Sequence, residues 1–160
     1  MKKKAVKIAL IAVGVLVLGL GLRTAVSYVA NYIPNKHYFG DECKQVLYLT
    51  SISDYITAKE CVKEADKALS TITNDETILK GFGELGYLCV TDEDAVSEKH
   101  KIKFVAADFS DNKGYIWVKY SSEAYDKNGE VAVGSRNVLS RWELQKTGDK
   151  WTVMSIKECP

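Results

Sequence analysis

The hydrophobic period of the sequence changes to two at about His100, and this change constrains the fold more than any other feature. From there, four segments rich in β-branched and aromatic residues alternate with three short turns, SDNKG, DKNGE and TGD. Asn, Asp and Gly adopt the backbone conformations that tight hairpins need. Since hairpins join neighbouring antiparallel strands, the sequence predicts a four-stranded antiparallel meander.

Alternation within these strands predicts which face of the sheet is buried. One face is apolar and carries Ile116, Val118, Tyr120, Val138, Trp142, Leu144, Met154 and Ile156. The opposite face is mixed and carries Trp117, Lys119, Glu123, Trp151, Val153 and Ser155. A sheet with one apolar face is expected to bury that face under helices.

Two helical segments precede the strands. The stretch from residue 43 to 72 contains no Gly or Pro, and its apolar residues recur at steps of three and four: Tyr48, Ile52, Tyr55, Ala58, Val62, Ala65, Leu69 and Ile72. Asp41 is placed to cap its start, and TND at 73–75 ends it and begins a second helix over about 76–85. One long helix and two helices with a bend fit equally well. Helices followed by a meander predict an α+β fold.

The closing hairpin carries a resemblance to a known family. Its residues are Arg141, Trp142, Glu143, Leu144, the turn 147–150, Trp151, Val153 and Ile156. Together with the order of elements over residues 41–158, they resemble the nuclear-transport-factor-2-like superfamily. The resemblance implies a cone-shaped domain whose curved four-stranded antiparallel sheet wraps the first helix. This superfamily includes isomerases, dehydratases, ligand carriers and inert adaptors, so the fold alone does not select a function.

The N-terminus reads as a targeting segment. MKKKAVK carries four lysines and no acid, and the fifteen residues Ile8 to Leu22 carry no charge. Fifteen helical residues span about 22 Å of an apolar core about 30 Å thick, which favours a signal peptide cleaved after Ala25-Val26-Ser27. The helical pattern that continues beyond Arg23 favours an uncleaved single-pass anchor, which we expect. We therefore predict an N-terminal membrane anchor or signal segment over residues 1–33, which meets the membrane through residues 5–33, a linker over 34–40 and an extracytoplasmic domain over 41–160.

The net charge of the exported part limits the classes of partner that we expect it to bind. All 21 acidic residues follow residue 33, whereas five of the 22 basic residues precede it. The exported part is therefore mildly acidic and has no cluster of Lys and Arg, so nucleic acid is not an expected partner. A membrane anchor carrying such a domain also resembles exported bacterial proteins and the extracytoplasmic domains of conjugation and secretion assembly factors, whose roles are scaffolding.

Four cysteines, Cys43, Cys61, Cys89 and Cys159, all lie in the exported part. In an oxidising compartment they permit two disulfides in any of three pairings, and a bond from Cys159 would pin the last strand to the helices. Buried thiols are the alternative. The spacing of the cysteines and of the two histidines is not that of a metal site.

Two short sequence patterns resemble binding motifs, but we predict that they are turns without a bound cofactor or metal ion. GFGELG at 81–86 matches a dinucleotide-binding loop, but a helix precedes it where a strand is required, so we expect a helix end and turn and no cofactor. TDEDA at 91–95 lacks the spaced ligands of a calcium loop and is expected to be a solvated turn.

No catalytic constellation is visible, so the expected function is a non-enzymatic interaction or ligand-binding module. Tyr115, Trp117 and Tyr125 are candidates for a surface that meets a protein partner or a small apolar ligand.

The alternative is an isomerase or dehydratase that acts on a small apolar ligand in the cone. Asp54 or Asp108 would then be the base, and Tyr87 or Tyr120 the hydrogen-bond donor. A secreted inhibitor-like protein, released after residue 27, is a further possibility.

Overall fold

The computed structural model of the chain describes residues 2–159, with side chains from Ile8 onward. The side chains of the N-terminal lysines and of the apolar residues at 5 and 6 therefore lie outside the described residues. The helical elements are α1 (Lys2–Ser27), a π-helical turn (Tyr28–Tyr32), α2 (Ile33–Phe39), a first 3-10 helix (Gly40–Leu47), α3 (Ile52–Leu69), α4 (Glu76–Gly81) and a second 3-10 helix (Gly83–Leu88). The strands are β1 (Ser97–Ser110), β2 (Lys113–Tyr125), β3 (Val131–Thr147) and β4 (Lys150–Glu158).

The chain divides into two compact units, residues 1–48 and 49–160. The N-terminal unit contains a helix that is long and apolar enough to cross a membrane, and its apolar side chains from Ile8 to Leu22 are exposed. The segment expected as a linker, 34–40, is helical up to Phe39. The chain reverses at Gly40, whose φ of 59° is one that glycine adopts without strain.

After this reversal, the first 3-10 helix returns alongside the helix that precedes it. The Ser27 hydroxyl donates to the Val46 carbonyl at 2.8 Å, and the Arg23 guanidinium donates to the Tyr48 carbonyl at 3.0 Å. Residue 48 therefore lies at the level of residue 23 of the long helix.

The predicted helix over 43–72 is interrupted by an extended segment after Leu47. Ser51 caps α3, since its hydroxyl accepts from the Asp54 backbone N–H at 3.1 Å. The prediction that Asp41 begins this helix is wrong, because the serine side chain satisfies the first free N–H groups further along the chain. Asp41 instead begins the first 3-10 helix and pairs with Lys44.

The second helix begins where the sequence predicts and ends earlier. The Asp75 carboxylate caps α4 by accepting from the Thr77 N–H at 2.7 Å. The helix ends at Gly81, and Gly83 at φ 59° leads into the second 3-10 helix. GFGELG is thus a helix end and turn, as predicted. Gly86 is required for packing, since a Cβ there would lie 2.4 Å from the Leu79 carbonyl oxygen.

The sheet is the predicted antiparallel meander, with strand order β1-β2-β3-β4. Helix α3 packs on it and runs antiparallel to β1. The Thr50 hydroxyl, just before α3, accepts from the Ala107 N–H at 2.9 Å, and the Tyr55 ring meets the Phe104 ring edge-on at 5.3 Å. The α+β fold class is confirmed: helices pack on a four-stranded antiparallel sheet.

The core lies between α3, the second 3-10 helix and the apolar face of the sheet. Its largest contributors from β2 and β3 are Ile116, Val118, Tyr120, Trp142 and Leu144. Only part of the predicted α3 stripe joins the core: the buried side chains are Ala58, Cys61, Ala65, Ala68 and Leu69. The stripe residues nearest the helix start, Tyr48, Ile52 and Tyr55, are exposed.

Two face assignments in the sheet are wrong. Met154, predicted to be buried, is 53% exposed, whereas Val153 is 7% exposed. The reason is a β-bulge: Glu143 pairs with Ser155 and Leu144 pairs with Val153, which leaves Met154 as the extra residue and shifts the alternation. Trp117, predicted on the mixed face that the helices do not cover, is fully buried.

No disulfide joins the four cysteines in the part of the chain that the structure describes. Cys43, Cys61 and Cys89 are buried, and the Cys159 thiol donates to the Leu139 carbonyl at 3.7 Å. Burial raises the pKa of Cys61 to about 11 and raises that of Cys89 as well. Because the thiolate is the reactive form, both positions disfavour disulfide exchange in the folded state.

Candidate functional site

Two tyrosines and a glutamate from three separate elements meet in a hydrogen-bonded group, which we call the tyrosine–glutamate cluster: Tyr87, Tyr120 and Glu158. The Tyr120 hydroxyl donates to Glu158 Oε2 at 3.0 Å. The Tyr87 hydroxyl donates to the same carboxylate oxygen. The two hydroxyl oxygens lie 3.0 Å apart. One carboxylate oxygen thus collects two phenols that are distant in sequence.

Local structure explains why the three side chains converge. Tyr120 follows Ile116 and Val118 on the core face of β2. The bulge at Met154 places Glu158, at the end of β4, on the same side as Ile156. Without that extra residue, the alternation set by Val153 would turn the Glu158 carboxylate away from Tyr120.

Burial controls the protonation of the two phenols. Burial and the hydrogen bond to Glu158 together raise the pKa of Tyr87 to about 12. Burial also raises the pKa of Tyr120, helped by its hydrogen bond with Tyr87. Both hydroxyls are therefore protonated at neutral pH and act as donors to Glu158.

The Glu158 carboxylate is only partly satisfied. Its Oε1 is buried and has no hydrogen-bond partner among the described residues. Leaving a buried polar atom unpaired costs about 1–3 kcal/mol. Such an atom in a native structure is a feature that a functional role would explain.

A cavity of about 300 Å³ borders the cluster. Its floor is the sheet and its walls are the end of α3 and the segment 87–92; the lining residues are Leu69, Tyr87, Leu88, Cys89, Val90, Thr91, Asp92, Tyr120, Ser122, Ala124, Val133, Gly134 and Ser135. Tyr120 is 5% exposed at the floor and Tyr87 is 58% exposed at the mouth. No Lys or Arg belongs to this lining, all of which lies in the described part of the chain. The cavity is large enough for a small molecule and carries no positive charge.

The structure joins two of the predicted site residues and separates the others. Tyr87 and Tyr120, both predicted as donors, meet in the cluster. Asp54 is instead part of the α3 cap, where its carboxylate accepts from the Ser51 hydroxyl at 2.6 Å. Asp108 lines a different cavity of about 460 Å³, together with Arg141. Neither aspartate is the base that the sequence predicted beside the tyrosines.

Sequence reasoning missed Glu158, although a signal was present. The alternation that placed Met154 and Ile156 on the apolar face also places Glu158 there. A carboxylate on an otherwise apolar strand face is expensive to bury, and is therefore a candidate for a specific role.

The predicted aromatic surface does not form. Trp117 is fully buried. Tyr115 lies under the Arg141 guanidinium at 5.5 Å, and Tyr125 lies under the Lys99 ammonium at 5.3 Å. Tyr115 and Tyr125 occupy opposite ends of β2, about 33 Å apart at the rise of a strand. These rings do not make one binding surface.

A second polar group links helix and sheet outside the cavity. His100 of β1 contacts Glu98 through Nδ1 at 2.8 Å and Asp66 of α3 through Nε2 at 3.0 Å. Burial alone would lower the pKa of His100, but the two carboxylates raise it above the ordinary value. This histidine therefore ties α3 to β1 most strongly when it is protonated.

Metal-binding geometry is not found in the described residues, where no three His, Cys, Asp or Glu side chains group together. The acidic segment 91–95 forms a turn, as predicted, in which the Asp92 carboxylate accepts from the Asp94 N–H at 3.0 Å.

No protein family model and no curated protein matches the sequence. The fold is similar to that of the Kfla4162 protein from Kribbella flavida, with a TM-score of 0.43, 15% identity, and coverage of 66% of this chain and 89% of that one. It is also similar to an NTF2-like protein of unknown function from Shewanella baltica, with a TM-score of 0.36, 14% identity, and coverage of 71% and 99%.

A third similar structure is that of a protein of the NTF2-like family from Streptomyces avermitilis, for which a dehydratase activity has been suggested. Its TM-score is 0.35 and its identity 12%, with coverage of 86% of this chain and 94% of that one.

Proposed function

We propose that this chain is a membrane-anchored extracytoplasmic module that binds a small ligand against the tyrosine–glutamate cluster. The observation that carries the proposal is the pairing of the two phenols with Glu158 at the edge of a cavity of about 300 Å³. Binding cavities are typically apolar with a few convergent polar groups, and this cavity has that character.

The cluster favours a ligand that donates a hydrogen bond. Each phenol has one proton, and Glu158 accepts from both hydroxyls. The phenol oxygens then offer lone pairs to the cavity. Asp92 at the wall adds negative charge. A neutral alcohol or a cationic amine on a small apolar body fits this environment better than a carboxylate does.

The anchoring part of the proposal is supported by the N-terminal helix. The 26 residues of α1 give a helix of about 39 Å, of which the uncharged run from Ile8 to Leu22 spans about 22 Å. Lys7 and Arg23 flank that run, and long basic side chains in such positions can extend to the opposite interfaces of an apolar core about 30 Å thick. Side chains on every side of α1 are exposed, as expected of a helix surrounded by lipid. Lysines at its start would remain in the cytoplasm by the positive-inside bias, so the second unit would lie outside.

A matched set of probes tests the binding proposal. Benzyl alcohol, benzylamine and benzoate share one ring and differ in charge and donor capacity. In amide NMR spectra of the full chain in detergent, we expect the alcohol and the amine to shift the signals of residues around the cavity, such as Cys89 and Ser122. We expect benzoate to leave those signals unchanged. Shifts that map elsewhere, or an equal response to benzoate, would contradict the proposal.

A proton-transfer enzyme of the isomerase or dehydratase type is the second candidate. The same cluster favours it, since a carboxylate beside two protonated phenols can serve as base and donors. The two candidates differ in the fate of the ligand. A binding module returns its ligand unchanged after incubation, whereas an enzyme converts it, and Glu158→Gln would abolish that conversion.

A further inference from the structure

The start of α3 carries apolar side chains that remain largely exposed, although the Tyr55 ring also packs edge-on against Phe104. Four large side chains within eight residues are exposed: Leu49 by 60%, Ile52 by 82%, Tyr55 by 47% and Ile56 by 60%. We call them the α3 patch. Ile52, Tyr55 and Ile56 stand at i, i+3 and i+4, so they share one helix face. A contiguous apolar surface of this kind marks an interaction site more often than an accident of folding.

The covalent chain limits how far this patch can lie from Arg23. Arg23 is the first charged residue after the apolar run, and its guanidinium donates to the Tyr48 carbonyl. Leu49 is covalently joined to Tyr48. Ile52 can lie no more than about 14 Å from Tyr48, since four residues span at most that distance. The patch therefore begins next to the residue that ends the apolar run.

An arginine at the end of a spanning helix lies at the lipid headgroups, with aromatic residues around it. Tyr28 and Tyr32, one turn and two turns beyond Arg23, stack at 5.3 Å and supply such aromatics. Tyr48, which is hydrogen-bonded to Arg23, is held at the same level. The α3 patch is thus within reach of the outer headgroup layer by covalent connection alone.

The surface that continues the patch has the charge that a bilayer favours. Along the same helix face, Ile52 and Ile56 are followed by exposed Lys59 at i+7 and exposed Lys63 at i+11. Lys63 pairs with Glu60 at 2.8 Å, so among the described residues Lys59 is the lysine next to the patch that carries its charge without an ion pair to α3. An apolar surface flanked by lysines is typical of helices that lie at anionic bilayer surfaces.

We infer that the α3 patch inserts into the outer leaflet of the membrane that holds the anchor. Leu49, Ile52 and Ile56 enter the interface between headgroups and acyl chains, and Tyr55 lies among the headgroups. This second contact fixes the orientation of the exported unit on the bilayer. The inference rests on the proposal that α1 spans the membrane.

Fluorescence quenching in lipid vesicles tests this inference. The full chain, with Cys159→Ser as background, is reconstituted into phosphatidylglycerol and phosphatidylcholine vesicles. An environment-sensitive fluorophore is first attached to one introduced, exposed cysteine, since the three remaining native thiols are buried. The positions compared are Ile52→Cys in the patch, Leu16→Cys in the apolar run and Lys127→Cys in the β2–β3 turn. Lys127 is a matched control, because its turn adjoins the start of β1 at Ser97. The start of β1 lies about 30 Å along the strand from Ala107, whose N–H donates to Thr50 just before α3.

We expect shallow nitroxide lipids to remove most of the fluorescence of the label at 52 and to leave the label at 127 unchanged. Aqueous iodide should have the reverse effect. A label at 52 that iodide quenches as strongly as at 127 would overturn the inference. Protection from both quenchers would also overturn it, because a protein partner or a second copy of the chain would then cover the patch.

The label at 16 separates this inference from the anchor proposal. Quenching at 16 by deep nitroxide lipids with no lipid quenching at 52 would refute the α3 contact and leave the anchor intact. Absence of quenching at 16 would refute the anchor itself.

Discussion

Replacing Tyr120 by Phe removes one oxygen atom from the tyrosine–glutamate cluster and leaves the ring in the core. Tyr120 is 5% exposed, so the lost hydrogen bond to Glu158 is not replaced by water. Hydrogen bonds to charged groups contribute about 1.5–3 kcal/mol. We therefore expect Tyr120→Phe to lower the free energy of unfolding by that amount. For a domain of about 100 residues this corresponds to a fall of roughly 7–14 °C in Tm.

Denaturant unfolding of the full chain in detergent measures this effect, with a change in midpoint and no change in the slope m. Tyr125→Phe is the matched control, because it removes a hydroxyl from the same strand that bonds a partly exposed carboxylate, Glu123, at 2.7 Å. Glu123 keeps Arg136 as a partner when that hydroxyl is lost. We expect the control to change stability by less than about 0.5 kcal/mol. An equal effect of the two substitutions would refute the account of the cluster.

Three further predictions follow from the packing and charge of the second unit. Gly86→Ala should destabilise by about 1–3 kcal/mol, because its Cβ would overlap a backbone carbonyl, while Gly81→Ala, which meets open space, should be neutral or stabilising. Val153→Ala should lower the free energy of unfolding by about 1–2 kcal/mol, and Met154→Ala should lower it by less than about 0.5 kcal/mol. Equal falls in the denaturant midpoints of the two variants would refute the assignment of the bulge to Met154. Because the pKa of His100 is raised on folding, its contribution to stability is full below the unfolded value of about 6.5 and is lost as pH rises through the folded value. When unfolding is measured from pH 5.5 to 8.5, the free energy of unfolding of the wild type should exceed that of His100→Gln by an amount that falls as pH rises. A difference that stays constant with pH would refute the ion pairs.

The sequence predicts those parts of the fold that depend on local signals. The three hairpin turns and the start of the second helix at Asp75 depend on residues that are close together in sequence, and both predictions are confirmed. The break between the first 3-10 helix and α3 is also local, but the Ser51 cap competes with a continuous apolar stripe that suggested an earlier start. Propensity and periodicity alone do not decide that competition.

Long-range geometry explains what the sequence does not predict. The bulge at Met154 arises from the pairing of two strands and inverts the faces of Val153 and Met154. Tyr87 and Tyr120 were each recognisable as possible donors, but 33 residues separate them, and only the packing of the second 3-10 helix on the sheet brings their hydroxyls together. Trp117 was misjudged for the same reason, since alternation along a strand does not show whether its second face is covered.

The central claim is that a small donor ligand binds at the tyrosine–glutamate cluster, and titration calorimetry of the full chain with benzylamine tests it most directly. The comparison is between the wild type, Tyr120→Phe and Tyr125→Phe. We predict that the wild type and Tyr125→Phe bind with the same Kd and that Tyr120→Phe binds about tenfold more weakly, which corresponds to the loss of one hydrogen bond of about 1.4 kcal/mol. Binding of equal strength to all three proteins, or to none of them, would contradict the account.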